Sequence, residues 1–263
     1  MITNSIHIQL FRKHCKVIHP ATRCLEINSE NIDLIIRDIK QQIEQPLRAL
    51  TIAVYNNKGG VGKTTTIANL ASVLKLAGHK EVLVIDLDPN QQDLTNSLGL
   101  SLSDGEFKEL LTEKYSDIQP CIQKFSIIHK NREINFFDVI PADSKLVEGD
   151  EAELRQQFKR DILRQKLNSV KPKYDYIIID SPPNWGVFSQ LAVIAADVVL
   201  IPTKHNNIFS LENAALAIKK FIPEAQKIRE DGCPVPLPIF FNDEKVTESQ
   251  KAVAYQAIDN ILR

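Results

Sequence analysis

Lys58-Gly59-Gly60-Val61-Gly62-Lys63-Thr64-Thr65 gathers glycines, lysines and threonine hydroxyls into one short stretch. Glycine has no Cβ, so its backbone N–H groups can curl around an anion. The stretch follows the apolar run Leu50-Thr51-Ile52-Ala53-Val54, which predicts a buried strand. It precedes residues 66–74, whose apolar positions recur at helical spacing. Strand, glycine turn and helix start form the setting of a phosphate-binding loop, because the amino end of a helix adds the positive end of its dipole. In that setting Lys63 can reach the β and γ phosphates of a nucleotide as a point charge, and the Thr64 hydroxyl can ligate Mg²⁺.

Carboxylates stand at the ends of two further apolar runs. Glu81-Val82-Leu83-Val84-Ile85-Asp86 leads into Leu87-Asp88-Pro89, with both aspartates on one side of the alternation. Acidic side chains there, beside a phosphate loop, can order Mg²⁺-bound water and an attacking water. Tyr176-Ile177-Ile178-Ile179-Asp180 places another aspartate at a strand tip, the position of a carboxylate that holds Mg²⁺ through water.

These stations need a sheet whose strands end together. The runs above, with Ile134-Asn135-Phe136-Phe137-Asp138-Val139-Ile140, Asp197-Val198-Val199-Leu200-Ile201 and Leu237-Pro238-Ile239-Phe240-Phe241, are continuous and apolar and alternate with amphipathic segments. That pattern predicts an α/β fold, a mostly parallel sheet with helices on both faces, which binds ligands at the carboxyl ends of its strands. Residues 1–49 precede the first motif: Ile6–Phe11 alternates like a strand, Lys16-Val17-Ile18 suggests a second, and residues 31–48 predict a helix. The stretch 101–132 is polar and reads as partly helical.

Composition excludes several classes. Hydrophobic residues make up 43% of the 263 and charged residues 25%, as in a globular protein. A formal charge of −1 argues against a globally basic nucleic-acid binder but not against a local basic patch. Cys15, Cys24, Cys121 and Cys233 form no C-x-x-C pair, so zinc or an iron–sulfur cluster is not expected. Neither a membrane span nor a secretory signal is evident, and the expected location is cytoplasmic.

The sequence K-G-G-x-G-K-T-T resembles the deviant Walker A motif of the ParA/MinD family of ATPases, in which a lysine directly precedes the glycine pair. Asp86-Leu87-Asp88-Pro89, Tyr174-Asp175-Tyr176-Ile177-Ile178-Ile179-Asp180-Ser181-Pro182-Pro183 and Ala195-Ala196-Asp197-Val198-Val199-Leu200-Ile201-Pro202-Thr203 resemble further segments of that family in the same order, so the likeness spans residues 50–242. It implies a P-loop NTPase fold over residues 50–263, preceded by an amino-terminal extension at 1–49 of unknown role. It implies ATP and Mg²⁺ as cofactors: Lys58, Gly59, Gly60, Val61, Gly62, Lys63, Thr64 and Thr65 would hold the nucleotide, and Asn242 would read the adenine edge. Thr64, Asp86 and Asp180 would serve the metal. Lys58 would reach the partner subunit's nucleotide in trans, acting with Lys63 and with Asp88, which would orient the hydrolytic water.

The resemblance further implies slow ATP hydrolysis, an ATP-dependent homodimer, non-specific binding to nucleoid DNA and a small adaptor protein that stimulates turnover. The cargo would be a plasmid, a chromosome or a carboxysome-type organelle. Lys204, Lys219, Lys220, Lys227 and Arg229 are candidates for the DNA contact. Two departures stand out: Asn57 replaces the glycine of the general phosphate loop, and Asn90-Gln91-Gln92 replaces the family's usual switch residues. The altered switch keeps a non-hydrolysing nucleotide switch open. A MinD-like membrane ATPase would need an amphipathic terminal helix with basic flanks, and residues 250–263 carry little positive charge. A nitrogenase-reductase-like carrier lacks its cysteines, and a tyrosine autokinase lacks a tyrosine-rich tail.

Overall fold

The computed structural model describes residues 2–4, 6–44, 48–147, 151–204 and 207–242, together with Glu248. Its centre is a seven-stranded sheet. Along the chain the strands are β1 (Leu50–Val54), β2 (Val82–Asp86), β3 (Gln123–His129), β4 (Arg132–Ile140), β5 (Tyr176–Asp180), β6 (Val198–Leu200) and β7 (Val235–Pro236). Their spatial order is β7-β6-β1-β5-β2-β4-β3. Every neighbouring pair is parallel except β3 with β4 at one edge, which is antiparallel. The central strands are apolar on both sides because both sides are covered.

Helix α1 (Ile32–Glu44) lies before the sheet in sequence, α2 (Lys63–Leu76) follows β1, and α3 (Val187–Ala195) follows β5. On one face Ile52, Val54, Val84 and Ile178 pack with Ile67 and Ala71 of α2. On the other, Ala53, Ile85, Ile177 and Ile179 pack with Leu191, Ala192 and Ala195 of α3, joined by Phe107, Leu163 and Phe221. Ile177, Ile178 and Ile179 thus serve opposite faces in turn, each burial contributing roughly 1.5–3 kcal/mol. Register then decides the chemistry. Asp180 pairs across β5 with Val54 on one side and Asp86 on the other, so the carboxylates and the phosphate loop leave the sheet at one level.

The segment before β1 forms a three-stranded antiparallel sheet, Ile2–Thr3, His7–Gln9 and Leu25–Glu26, and a hairpin, Phe11–His14 with Val17–Pro20. It docks at the amino ends of the strands. The His14 ring meets that of Tyr176 at 4.9 Å, Gln9 Nε2 donates to the Asp231 carbonyl at 3.2 Å, and Cys233 Sγ donates to the Pro20 carbonyl at 3.2 Å.

Two expectations about elements need correction. The stretch 101–132 is partly helical as expected, at Glu106–Leu111, but it also contains β3, an edge strand whose outward residues, including the exposed Ile128, obscure its pattern. The run 237–241 shrinks to Phe240–Phe241, paired with Pro202–Thr203, while Val235–Pro236 joins the main sheet. Pro234, Pro236 and Pro238 have no N–H to give a ladder, which confines pairing here to short edge pieces.

Candidate nucleotide-binding site

The glycine stretch forms a loop at the carboxyl edge, leading directly into α2. Asn56 anchors its start, with Nδ2 donating to the carbonyls of Pro202 at 2.9 Å and Ser210 at 3.1 Å. Asn57 holds Asn213 Oδ1 at 3.2 Å, so the position that usually takes glycine serves here as a side-chain anchor. Gly60 and Gly62 have φ of 72° and 84°, a region that penalises a Cβ. Around Gly59 and Gly60 a Cβ would meet no atom within 4 Å, which leaves backbone amides open to a ligand.

The loop borders a cavity of about 600 Å³. Gly59, Gly60, Gly62, Lys63, Thr64 and Thr65 form one wall, and Asp88 and Asp180 face them. Lys63 is only 8% exposed, and its Nζ donates to the Lys58 carbonyl at 3.4 Å. Burial pulls its pKa down, while Asp180, Asp88 and Asp93 oppose the fall. Thr64 Oγ1 donates to Asp180 Oδ2 at 2.7 Å. Burial pushes the Asp180 carboxyl up; Asp86 and Asp88 add to the push, against Thr64 and Lys63. A hydroxyl, a carboxylate and backbone amides around an open cavity suit a hard cation carried by a polyanion. Among the described residues no group of three or more His, Cys, Asp or Glu side chains converges to hold an ion alone. Mg²⁺ characteristically keeps several waters and takes phosphate oxygens as ligands.

The other expected residues fall in different places. Asp86 does not border the cavity: its Oδ2 accepts from Thr95 N at 2.9 Å and Thr95 Oγ1 at 2.7 Å, and its Oδ1 accepts from Asp88 N at 3.2 Å. Its carboxylate braces the loop after β2. Asp88 borders the cavity, with Oδ1 accepting from the amides of Asn90 at 3.2 Å and Gln91 at 3.1 Å. Val61 is buried under the loop, and the half-buried Lys58 does not line the cavity. Asn242 lines it but is turned onto the loop: Nδ2 donates to the carbonyls of Val61 at 3.2 Å and Gly62 at 3.1 Å, and to Thr66 Oγ1 at 3.3 Å. That donor is therefore engaged by the loop rather than presented to a base.

Asp93 and Ser181 also line the cavity and were not singled out from sequence, and so does Gln91, noted there only as a departure in the switch segment. Ser181 directly follows the strand-tip Asp180, so the carboxyl-edge rule could have found it. Lys204, considered for a DNA surface, is on the rim of this cavity. Arg229, considered for the same surface, is buried: it pairs with Asp231 at 2.7 Å and donates to the carbonyls of Ile194 and Ala196. Lys219, Lys220 and Lys227 are exposed. No helix among the described residues is long and apolar enough to cross a membrane, and residues 250–263 lie outside the described set.

A glycine loop running from a central parallel strand into a helix, opposite a strand-tip aspartate, defines the P-loop NTPase class. A family model described as "AAA domain" matches residues 49–231. The chain belongs to that family, and its relatives place it with the ParA/MinD ATPases. It is 40% identical over 161 residues to the sporulation initiation inhibitor protein Soj of Bacillus subtilis (strain 168), which covers 58% of this chain and 57% of Soj. The chain thus spans little more than half of that relative's length. A cobyrinic acid a,c-diamide synthase from Mycobacterium smegmatis, solved with ADP and magnesium, superposes with a TM-score of 0.65 at 25% identity, covering 81% of this chain and 82% of that one. A plasmid partition protein from Borrelia burgdorferi superposes with a TM-score of 0.61 at 25% identity, covering 80% and 85%.

Proposed function

We propose that this protein is an ATP-dependent, dimerising ATPase that positions or segregates intracellular cargo, either a plasmid or chromosome or an organelle of the carboxysome kind. The observation that carries the reading is the Thr64–Asp180 contact of 2.7 Å beside a buried Lys63, at the mouth of a glycine loop. Mg²⁺-bound ATP would supply the cleavable phosphoanhydride and a dication to offset its charge. Backbone amides from Gly59 to Thr65 would bind the phosphates, Lys63 would exchange its carbonyl partner for a phosphate oxygen, and Thr64 and Asp180 would hold the metal. Asp88 orients the attacking water, while Asp86, itself held by Thr95, keeps Asp88 in place by accepting from its backbone N–H. Lys58, outside its own chain's cavity, acts on the nucleotide of a second copy when two subunits close face to face.

DNA binding without sequence preference would come from exposed lysines, with Lys219, Lys220 and Lys227 remaining as candidates. A small adaptor stimulates hydrolysis and releases the dimer into the cytoplasm, away from the nucleoid. Residues 1–49 act as a separate extension of the ATPase domain. Turnover measured with and without DNA, with molar mass by light scattering in ATP, tests this reading: DNA-responsive hydrolysis and an ATP-dependent doubling of mass are expected. A second reading, a nucleotide switch without hydrolysis, draws on the Asp88 carboxylate, one oxygen of which is already occupied by two backbone amides. ATP binding with turnover at background, in the presence of DNA and candidate adaptors, would favour it.

A further inference from the structure

At the opposite end of the sheet, where the amino-terminal segment closes on the core, lies a second cavity of about 580 Å³. Its inner wall carries Arg164, Lys171, Asp197 and Arg229, and the hairpin adds Arg12. The charges do not balance. Arg229 and Arg164 share Asp231, at 2.7 Å and 2.9 Å. Asp197 accepts from Thr51 N at 3.0 Å and lies 3.8 Å from both Lys171 Nζ and Arg229 Nη2. Four cations therefore face two buried carboxylates, and Asp38, at the rim, is exposed.

Two cations are held only loosely, both by the charge of Asp197. The Lys171 side chain is 6% exposed, yet among the described residues no acceptor reaches its ammonium within hydrogen-bond distance. Burial lowers its pKa, and Arg229, Arg164 and Arg12 lower it further against the pull of Asp197. Arg12 is half-buried on the hairpin, where burial lowers its pKa against the pull of Asp197. A buried ammonium held by one long ion pair gains further from an anion in the space beside it. Phe11 and Ile43 give the cavity an apolar side, which can take a planar or aliphatic body.

We propose that this cavity is a binding site for a dianionic organic phosphate of about mononucleotide size, its phosphate held by Arg12, Lys171 and Arg164. A volume of about 580 Å³ suits a small organic ligand. The site is independent of the nucleotide-site reading, sharing no residue with that cavity. Because the segment before β1 supplies Arg12 and the core supplies Lys171, the ligand would fasten one to the other.

The test uses the full chain carrying Lys63→Ala, which disables the phosphate loop, with AMP as probe in titration calorimetry. AMP is expected to bind, adenosine is not, and Arg12→Ala should weaken AMP binding by about tenfold or more, the usual effect of losing a charge-assisted hydrogen bond. Lys171→Met should do the same if it folds. Without ligand, Arg12→Ala should leave the melting temperature unchanged or raise it, since it relieves crowding among cations. The proposal is overturned if AMP fails to bind, if adenosine binds equally well, if Arg12→Ala leaves AMP affinity intact, or if that variant melts lower without ligand.

Discussion

Lys63 and Asp86 illustrate how far residue type alone determines role. Lys63 stands where its motif puts it, and its buried ammonium rests on one long bond to a carbonyl. A phosphate oxygen is a better partner, so Lys63→Ala should weaken ATP binding by about a hundredfold or more, as expected for a charge-assisted contact in a sheltered site. Calorimetry with the intact chain checks this, and retained affinity would remove Lys63 from the phosphate site. Asp86 is different. Its place at the end of β2 was legible from the apolar run, but its orientation was not, because that depends on Thr95, nine residues on and across a turn. Thr95 Oγ1 both donates to Asp86 at 2.7 Å and accepts from Ala142 N at 2.9 Å. Thr95→Val preserves shape and removes both bonds, so it should destabilise the fold by about 1–3 kcal/mol. An unshifted urea midpoint would show that this pair does not hold the loop after β2.

At the scale of elements, the strands that position the site were the most readable part, since a run such as Tyr176–Asp180 with no polar interruption leaves few alternatives to a covered parallel strand. What escaped was the edge strand β3, whose exposed outward residues obscure its alternation although it pairs with the next strand, and the proline-broken pieces around β7, which pair with strands far off in sequence. The close fit of Asn242 to the start of α2 also comes from tertiary contact. Gly62 has φ of 84°, and a Cβ there would stand 2.0 Å from Asn242 Nδ2. Gly62→Ala should cost about 1–2 kcal/mol in backbone strain alone and force the amide off the loop, seen as a lower melting temperature with weakened nucleotide binding. At the amino edge, Asp175 ties three segments together. It accepts from Arg48 at 2.8 Å and 2.7 Å and from Glu81 N at 2.9 Å. Burial alone would raise its pKa, but these donors outweigh it and hold it below the usual carboxylate range. A depressed folded-state pKa gives stability that is present above the unfolded value, roughly pH 4, and is lost as pH falls through the folded one. Asp175→Asn should therefore destabilise at pH 7 and lose that difference from the parent in strong acid, measured by denaturant midpoints across pH.

For the whole molecule, the sheet separates two sites. One is a phosphate loop at the carboxyl edge; the other is a cationic cavity at the amino edge, closed by the first segment of the chain. The second was not legible from sequence, because Arg12, Arg164, Lys171 and Arg229 are scattered over more than two hundred residues and share no spacing rule. Lys58 shows the converse: its motif was plain, yet a single chain gives its side chain no place in its own cavity. Its backbone carbonyl serves Lys63 within the chain, while the proposed target of its side chain belongs to a second copy. Truncating the side chain leaves that carbonyl untouched, so Lys58→Ala should bind ATP with near-parental affinity while losing the ATP-dependent dimer and its turnover. Removing a charge placed against a developing phosphate charge commonly costs about 10²–10³ in rate. Light scattering and calorimetry on one preparation separate the possibilities. A variant that dimerises and turns over like the parent places the side chain outside catalysis, whereas one that loses ATP affinity assigns Lys58 to its own chain's nucleotide.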